Sequence, residues 1–118
     1  MVYTAGSVSL AILEWRAHLA QWPPPAATIV EVELESSLIW MPSHLPPNWH
    51  RTPALKSAAT LGDDWIKSAR SVVMRVPSAI VQSEFLYLLN PAHKHFAKLA
   101  IGKAQPLKLD SRLGPIEA

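Results

Sequence analysis

The sequence predicts a mixed α+β domain, with mixed sheets and flanking helices, on three observations. Helical spacing of apolar residues is confined to short segments, of which residues 7–21 are the clearest. Two-residue alternation marks residues 28–35 and again 71–76. Eleven prolines and four glycines divide 118 residues into many irregular connections, which a long-helix bundle does not tolerate. This length holds a single domain, residues 1–118, with room for a real core.

The elements follow in order. Ser7 is a suitable N-cap, Gly6 eases the turn before it, and the helix runs on to Gln21. At about 100° per residue, Val8, Ile12, Trp15 and Leu19 share one face and Leu10, Leu13, Ala17 and Ala20 lie nearly opposite. A helix apolar on two sides is expected to be sandwiched. Between the faces runs a polar stripe of Ser7, Glu14, His18 and Gln21, with Glu14 and His18 one turn apart. In residues 28–35, Val30, Val32 and Leu34 point one way and Glu31, Glu33 and Glu35 the other, a strand with one wet face.

Residues 38–49 read as loop, with Leu45-Pro46-Pro47-Asn48-Trp49 an irregular turn. Thr52-Pro53 is a cap and first-turn pair that opens a helix toward Leu61. Gly62 is expected to interrupt it, with Asp63 or Asp64 recapping a short turn through residues 65–69. Residues 71–76 form a second strand, with Val72, Met74 and Val76 on one side and Arg75 on the other. Periodicity does not settle the type of residues 85–89. A helical turn over 93–99 and two weak strands, 98–101 and 106–109, complete the chain.

Composition bounds the function classes. About half of the residues are apolar and 17% are charged, which excludes a disordered chain. The absence of cysteine excludes disulfide scaffolds, thiolate zinc sites and cysteine nucleophiles, and is compatible with a reducing cytoplasm. Net charge is +2, and the basic residues are scattered from Arg16 to Arg112 without a cluster, against direct nucleic-acid binding. No apolar run approaches the roughly 18 residues of a membrane span. The opening MVYTAG lacks the basic and long apolar regions of a signal peptide. A soluble cytoplasmic protein is the expectation.

Two residues stand out chemically. A carboxylate between two apolar helix faces must find partners, so Glu14 is either a site residue or the helix neighbour of His18. Ser78 follows Pro77 at a strand end, where a hydroxyl either meets a ligand or satisfies local backbone. No Gly-x-Ser-x-Gly elbow surrounds it. His93-x-His95 supplies two ligands at best, short of a zinc site, and no metal is expected. Glycine-rich dinucleotide and P-loop motifs are missing, so side chains would have to hold any nucleotide. The five tryptophans read as core or loop anchors.

Six short motifs then occur in order. They are Val2-Tyr3-Thr4, Leu13-Glu14, Leu61-Gly62-Asp63-Asp64-Trp65, Val76-Pro77-Ser78, Asn90-Pro91-Ala92-His93 and Asp110-Ser111-Arg112-Leu113. Together they resemble the RES-domain family, named for an arginine, a glutamate and a serine, over nearly the whole chain. The resemblance implies a fold related to the ADP-ribosyltransferase toxins. It also implies a toxin of a bacterial toxin–antitoxin pair that destroys NAD⁺ by glycohydrolysis or phosphorolysis, with NAD⁺ as substrate and no resident cofactor. Carried over by motif, Glu14 matches the family glutamate, Ser78 the serine and Tyr3 the pocket tyrosine. Asn90, His93 and His18 fall where the family keeps polar groups, without an assigned role.

Two departures accompany the resemblance. The family arginine lies upstream of the Val-Tyr-Thr motif, so the first strand or strands that carry it are expected to be missing here. Neither Arg75 nor Arg112 is marked by spacing as its substitute. Leu86 also stands where the family usually has asparagine before the tyrosine, here Tyr87. The implied chemistry gives Glu14 the oxocarbenium-like ribose, Tyr3 a place beside the nicotinamide ribose, and Ser78 the ligand's polar end. The alternative is a catalytically inactive domain that only binds its antitoxin. Apolar strand edges left unpaired would favour a homo-oligomer.

Overall fold

The computed structural model describes residues 1–50 and 56–116. It is a mixed α+β fold built on a four-stranded sheet in the order β1-β6-β5-β4. The strands are β1 (Val2–Ala5), β4 (Ile39–Trp40), β5 (Val73–Pro77) and β6 (Phe85–Leu89). β1 pairs antiparallel with β6 and β6 with β5, while β4 runs parallel to β5. Two small antiparallel ladders accompany the sheet. One joins β2 (Ala27–Ile29) to β8 (Gln105–Leu107), and the other joins β3 (Val32–Glu33) to β7 (Ala100–Ile101). The helices are α1 (Val8–His18) and α2 (Lys56–Ser68).

Consecutive buried residues show why β5 reads as an apolar run. Val73 and Met74 point to opposite faces, yet both are almost fully buried, so the sheet is covered on both sides. On one face Met74 and Leu88 pack with Trp65 of α2, flanked by Trp40, Val76 and Leu86. On the other, Val73 and Leu89 pack with Val72 and Leu99, against Val32, Leu34 and Tyr87. Trp65 also fixes the entry to β5. Its indole N–H donates to the Ser71 hydroxyl at 2.9 Å, and that hydroxyl donates to the Val73 carbonyl at 2.8 Å.

Several expectations are corrected. α1 is capped by Ser7, whose hydroxyl accepts from the Leu10 N–H at 3.1 Å, but the helix stops at His18 rather than Gln21. It is not sandwiched: Leu10 is buried, whereas Val8 and Leu13 are exposed. The expected strand over 28–35 is two strands, β2 and β3, because its halves pair with β8 and β7 respectively. α2 passes through Gly62 without a break, and the missing side chain is filled by Met1, whose Cε would lie 3.2 Å from an added Cβ. The loop before Trp49 contains β4, too short for alternation to reveal. Val72 packs with Val73, not with Met74 and Val76.

Residues 85–89, whose type periodicity left open, form a strand. Other expectations are met: a 3₁₀ turn, Phe96–Lys98, lies within the expected helical turn. The 45–49 turn closes by a Trp49 N–H to Pro46 carbonyl bond, with Asn48 at φ 58°. The Thr52-Pro53 pair lies outside the described residues. Among the described residues no helix is long and apolar enough to cross a membrane.

Candidate functional site

The sequence separates Glu14 from Ser78 by 64 residues, and the fold joins them. The Ser78 hydroxyl donates to Glu14 Oε1 at 2.7 Å. The same oxygen accepts the N–H groups of Ile80 and Val81, each at 3.0 Å. Ser78 is completely buried, with its donor and both acceptor positions filled. The backbone reading of this hydroxyl is therefore realised, and its proton goes to the Glu14 carboxylate. Glu14 is half-buried, and its Oε2 accepts no hydrogen bond from the described residues. The alternative contact with His18 is made by backbone instead: His18 Nδ1 meets the Glu14 carbonyl at 2.7 Å.

Two further bonds hold α1 against the connection between β5 and β6. The Gly6 N–H donates to the Phe85 carbonyl at 3.1 Å, and the Ser7 hydroxyl reaches Glu84 Oε1 at 3.4 Å. Within that connection the Ser78 N–H donates to the Glu84 carbonyl at 2.8 Å. Helix and connection thus form one unit around the Glu14–Ser78 bond. Gly6 lies beside Tyr87, where an added Cβ would meet Cε2 at 3.4 Å, an ordinary contact. Gly6 thus extends the pairing of β1 with β6, with Tyr87 on its side of the sheet.

Register places Arg75 opposite Tyr87, on that same face. Its guanidinium carbon lies 3.7 Å from the Phe85 ring centroid and 6.0 Å from that of Tyr87. Its Nε is buried without a hydrogen-bond partner among the described residues. Nothing in the residue pattern marks this position beyond a cation inside an apolar strand.

The remaining candidates sit apart from Glu14. Tyr3 is 67% exposed on the edge strand β1, opposite Leu88, and makes no hydrogen bond to Glu14 or Ser78. Asn90 and His93 are buried and serve the turn that leaves β6. Asn90 Oδ1 accepts from the Ala92 N–H at 3.0 Å. His93 Nδ1 accepts from the His95 N–H at 3.0 Å, so Nε2 carries the proton donated to the Ala69 carbonyl at 2.9 Å. Arg112 is paired with Asp110 at 2.8 Å on the surface, and this guanidinium beside Asp110 holds its carboxyl below the usual aspartate value.

A cleft of about 340 Å³ is lined by Arg70, Ser71, Val72, His93 and His95. It lies at the start of β5, and Ser78 at the end, some six strand residues or roughly 20 Å away. Size alone therefore does not mark the site. No group of three or more His, Asp or Glu residues able to hold a metal occurs among the described residues.

The sequence that builds this α+β fold matches a known family. Residues 1–110 match the RES domain, and the chain belongs to that family. It is 36% identical over 117 residues to Toxin Res of Yersinia enterocolitica, covering 95% of this chain and 76% of that toxin. It is 34% identical over 119 residues to the Prs ADP-ribosylating toxin of a Sphingobium species, covering 96% and 74%. Toxin Res of Pseudomonas putida is 33% identical over 118 residues, covering 96% and 79%.

Proposed function

We propose that this chain is an NAD⁺-degrading toxin that breaks the bond between nicotinamide and ribose, and that it is restrained by a cognate antitoxin protein. The observation that carries the reading is the carboxylate of Glu14, fixed through Oε1 by a fully buried serine while Oε2 stays available. Relatives named as toxins, one of them ADP-ribosylating, support the same substrate class.

In this reading the C–N bond breaks with its electron pair going to the nicotinamide nitrogen, which neutralises the pyridinium. Positive charge develops on the ribose, and a preorganised carboxylate stabilises it more strongly than water does. Glu14 Oε2 faces that charge and accepts from the 2′ hydroxyl. Ser78 acts through Glu14, holding one carboxylate orientation. Tyr3 enters as an exposed aromatic assigned to pack beside the ribose, with no proton to move. Water or phosphate supplies the oxygen that bonds to the ribose carbon, and its proton passes to solvent.

The test follows nicotinamide release from NAD⁺ by purified protein, with and without phosphate. Wild type is expected to release nicotinamide. Glu14→Gln keeps an oxygen for Ser78 and loses the charge, so it should remain folded and slow by about 10²–10³-fold. A folded wild-type sample that releases none overturns the reading.

A further inference from the structure

We propose that Arg16 and the turn at residues 111–114 form a clasp that positions Glu14, a role that for catalysis rests on the NAD⁺ reading. The Arg16 Nε–H donates to the Leu113 carbonyl at 2.7 Å, and the guanidinium carbon lies 5.2 Å from the Trp22 ring centroid. Gly114 completes the contact. An added Cβ there would sit 2.6 Å from the Trp22 indole nitrogen and 2.9 Å from the adjoining Cε2, so the backbone lies directly against the ring. Its φ of −72° is open to any residue, so space and not backbone strain excludes a side chain. The turn is closed by its own bonds: Asp110 accepts the Arg112 N–H at 2.8 Å and the Arg112 guanidinium at 2.9 and 2.8 Å. The clasp thereby gives a task to the Asp110-Ser111-Arg112-Leu113 motif, whose last three residues lie past the segment matched to the RES domain.

The clasp matters because the rest of α1 is lightly held. Leu10 alone among its residues is buried. A crevice of about 130 Å³, lined by Ile12 and Trp15 of the helix and by Ile29 and Leu107 of β2 and β8, runs along its middle. A helix with so few close contacts beneath it takes its orientation from its ends. The front end is tied through Gly6 and Ser7 to Phe85 and Glu84, and the back end through Arg16 to Leu113. Glu14 stands one half-turn before that back anchor. Residues two apart on a helix do not face each other, so Arg16 acts through the helix rather than on the carboxylate. Misplacing a reacting group by about 1 Å can cost on the order of 10²-fold in rate, which makes the back anchor a matter for catalysis as well as stability.

The test is a double-mutant cycle on the unfolding of the whole chain, which needs no turnover. Glu14→Ala removes the bond to Ser78, and Gly114→Ala opens the clasp with one uncharged methyl group. If the two sites were independent, Glu14→Ala would raise the unfolding constant by the same factor in either background. The clasp predicts a factor more than twofold smaller in the Gly114→Ala background, because the carboxylate is already loosened there. A factor unchanged within twofold, or larger, overturns the proposal. Trp22→Leu, which removes the ring without adding bulk, replaces Gly114→Ala in the cycle if that variant does not fold. Nicotinamide release is the second readout. Arg16→Met and Gly114→Ala should lower kcat by more than twofold and leave KM within twofold of wild type, since the charge that Glu14 meets exists only in the transition state. Arg16→Lys keeps a donor for the Leu113 carbonyl and should recover part of the loss. An active wild type whose clasp variants keep kcat within twofold also overturns the proposal. A folded wild type that releases no nicotinamide removes the NAD⁺ reading alone, and the cycle then decides the clasp.

Discussion

The Ser78 hydroxyl donates to Glu14 Oε1 at 2.7 Å while accepting two backbone N–H groups. Ser78→Ala removes all three bonds at a fully buried position, leaving two N–H groups without their acceptor. Each orphaned group costs roughly 1–3 kcal/mol, so the variant should lose about 2–6 kcal/mol in urea unfolding. Under the proposed function its kcat for nicotinamide release should fall while the pH profile keeps its shape, because Glu14 remains but is no longer oriented. A variant as stable as wild type would contradict the bonding described.

Ala69, just past the end of α2, has φ 51°, a left-handed conformation that a Cβ disfavours. Its N–H caps the helix through the Trp65 and Ile66 carbonyls, and its own carbonyl is held by His93. Ala69→Gly relieves the strain and adds unfolded-state entropy, for a net stabilisation of about 0.5–1 kcal/mol. The midpoint of urea unfolding should rise with an unchanged slope.

His95 is held below the ordinary histidine pKa, by desolvation first and then by the positive surroundings of Lys98, His93 and Lys94. Its unfolded value is about 6.5, so the unfolded chain takes up this proton more readily than the folded one. The contribution to stability is complete above that pH and is lost as pH falls through the folded value. Melting temperatures from pH 8 to pH 5 should therefore fall more steeply in wild type than in His95→Gln. Parallel curves would exclude the effect.

Local chemistry made much of this legible in the sequence. Ser7 announced α1, and the β5 strand was visible in its apolar run. Glu14 and Ser78 were marked by type and motif, but their bond was not readable, because pairing across 64 residues is a property of topology. α2 ran through Gly62 because tertiary packing of Met1 against that glycine outweighs its low helix propensity. β4 escaped notice because two residues carry no period. Arg75 was hidden for a related reason. Spacing shows which face a cation occupies, but not whether anything on that face answers its charge.

β1 lies at one end of the described chain and its partner β6 eighty-odd residues later, with Thr4 bonded to the Tyr87 carbonyl at 2.7 Å. Closing so long a loop is entropically expensive until the later contacts exist to offset it. On a ribosome, α1 and its carboxylate emerge early but have no sheet to lean on. Ser78 and the strand after it must be synthesised before Glu14 can be aimed. Under the proposed function, a nascent chain is therefore without its site until Leu89 has left the exit tunnel.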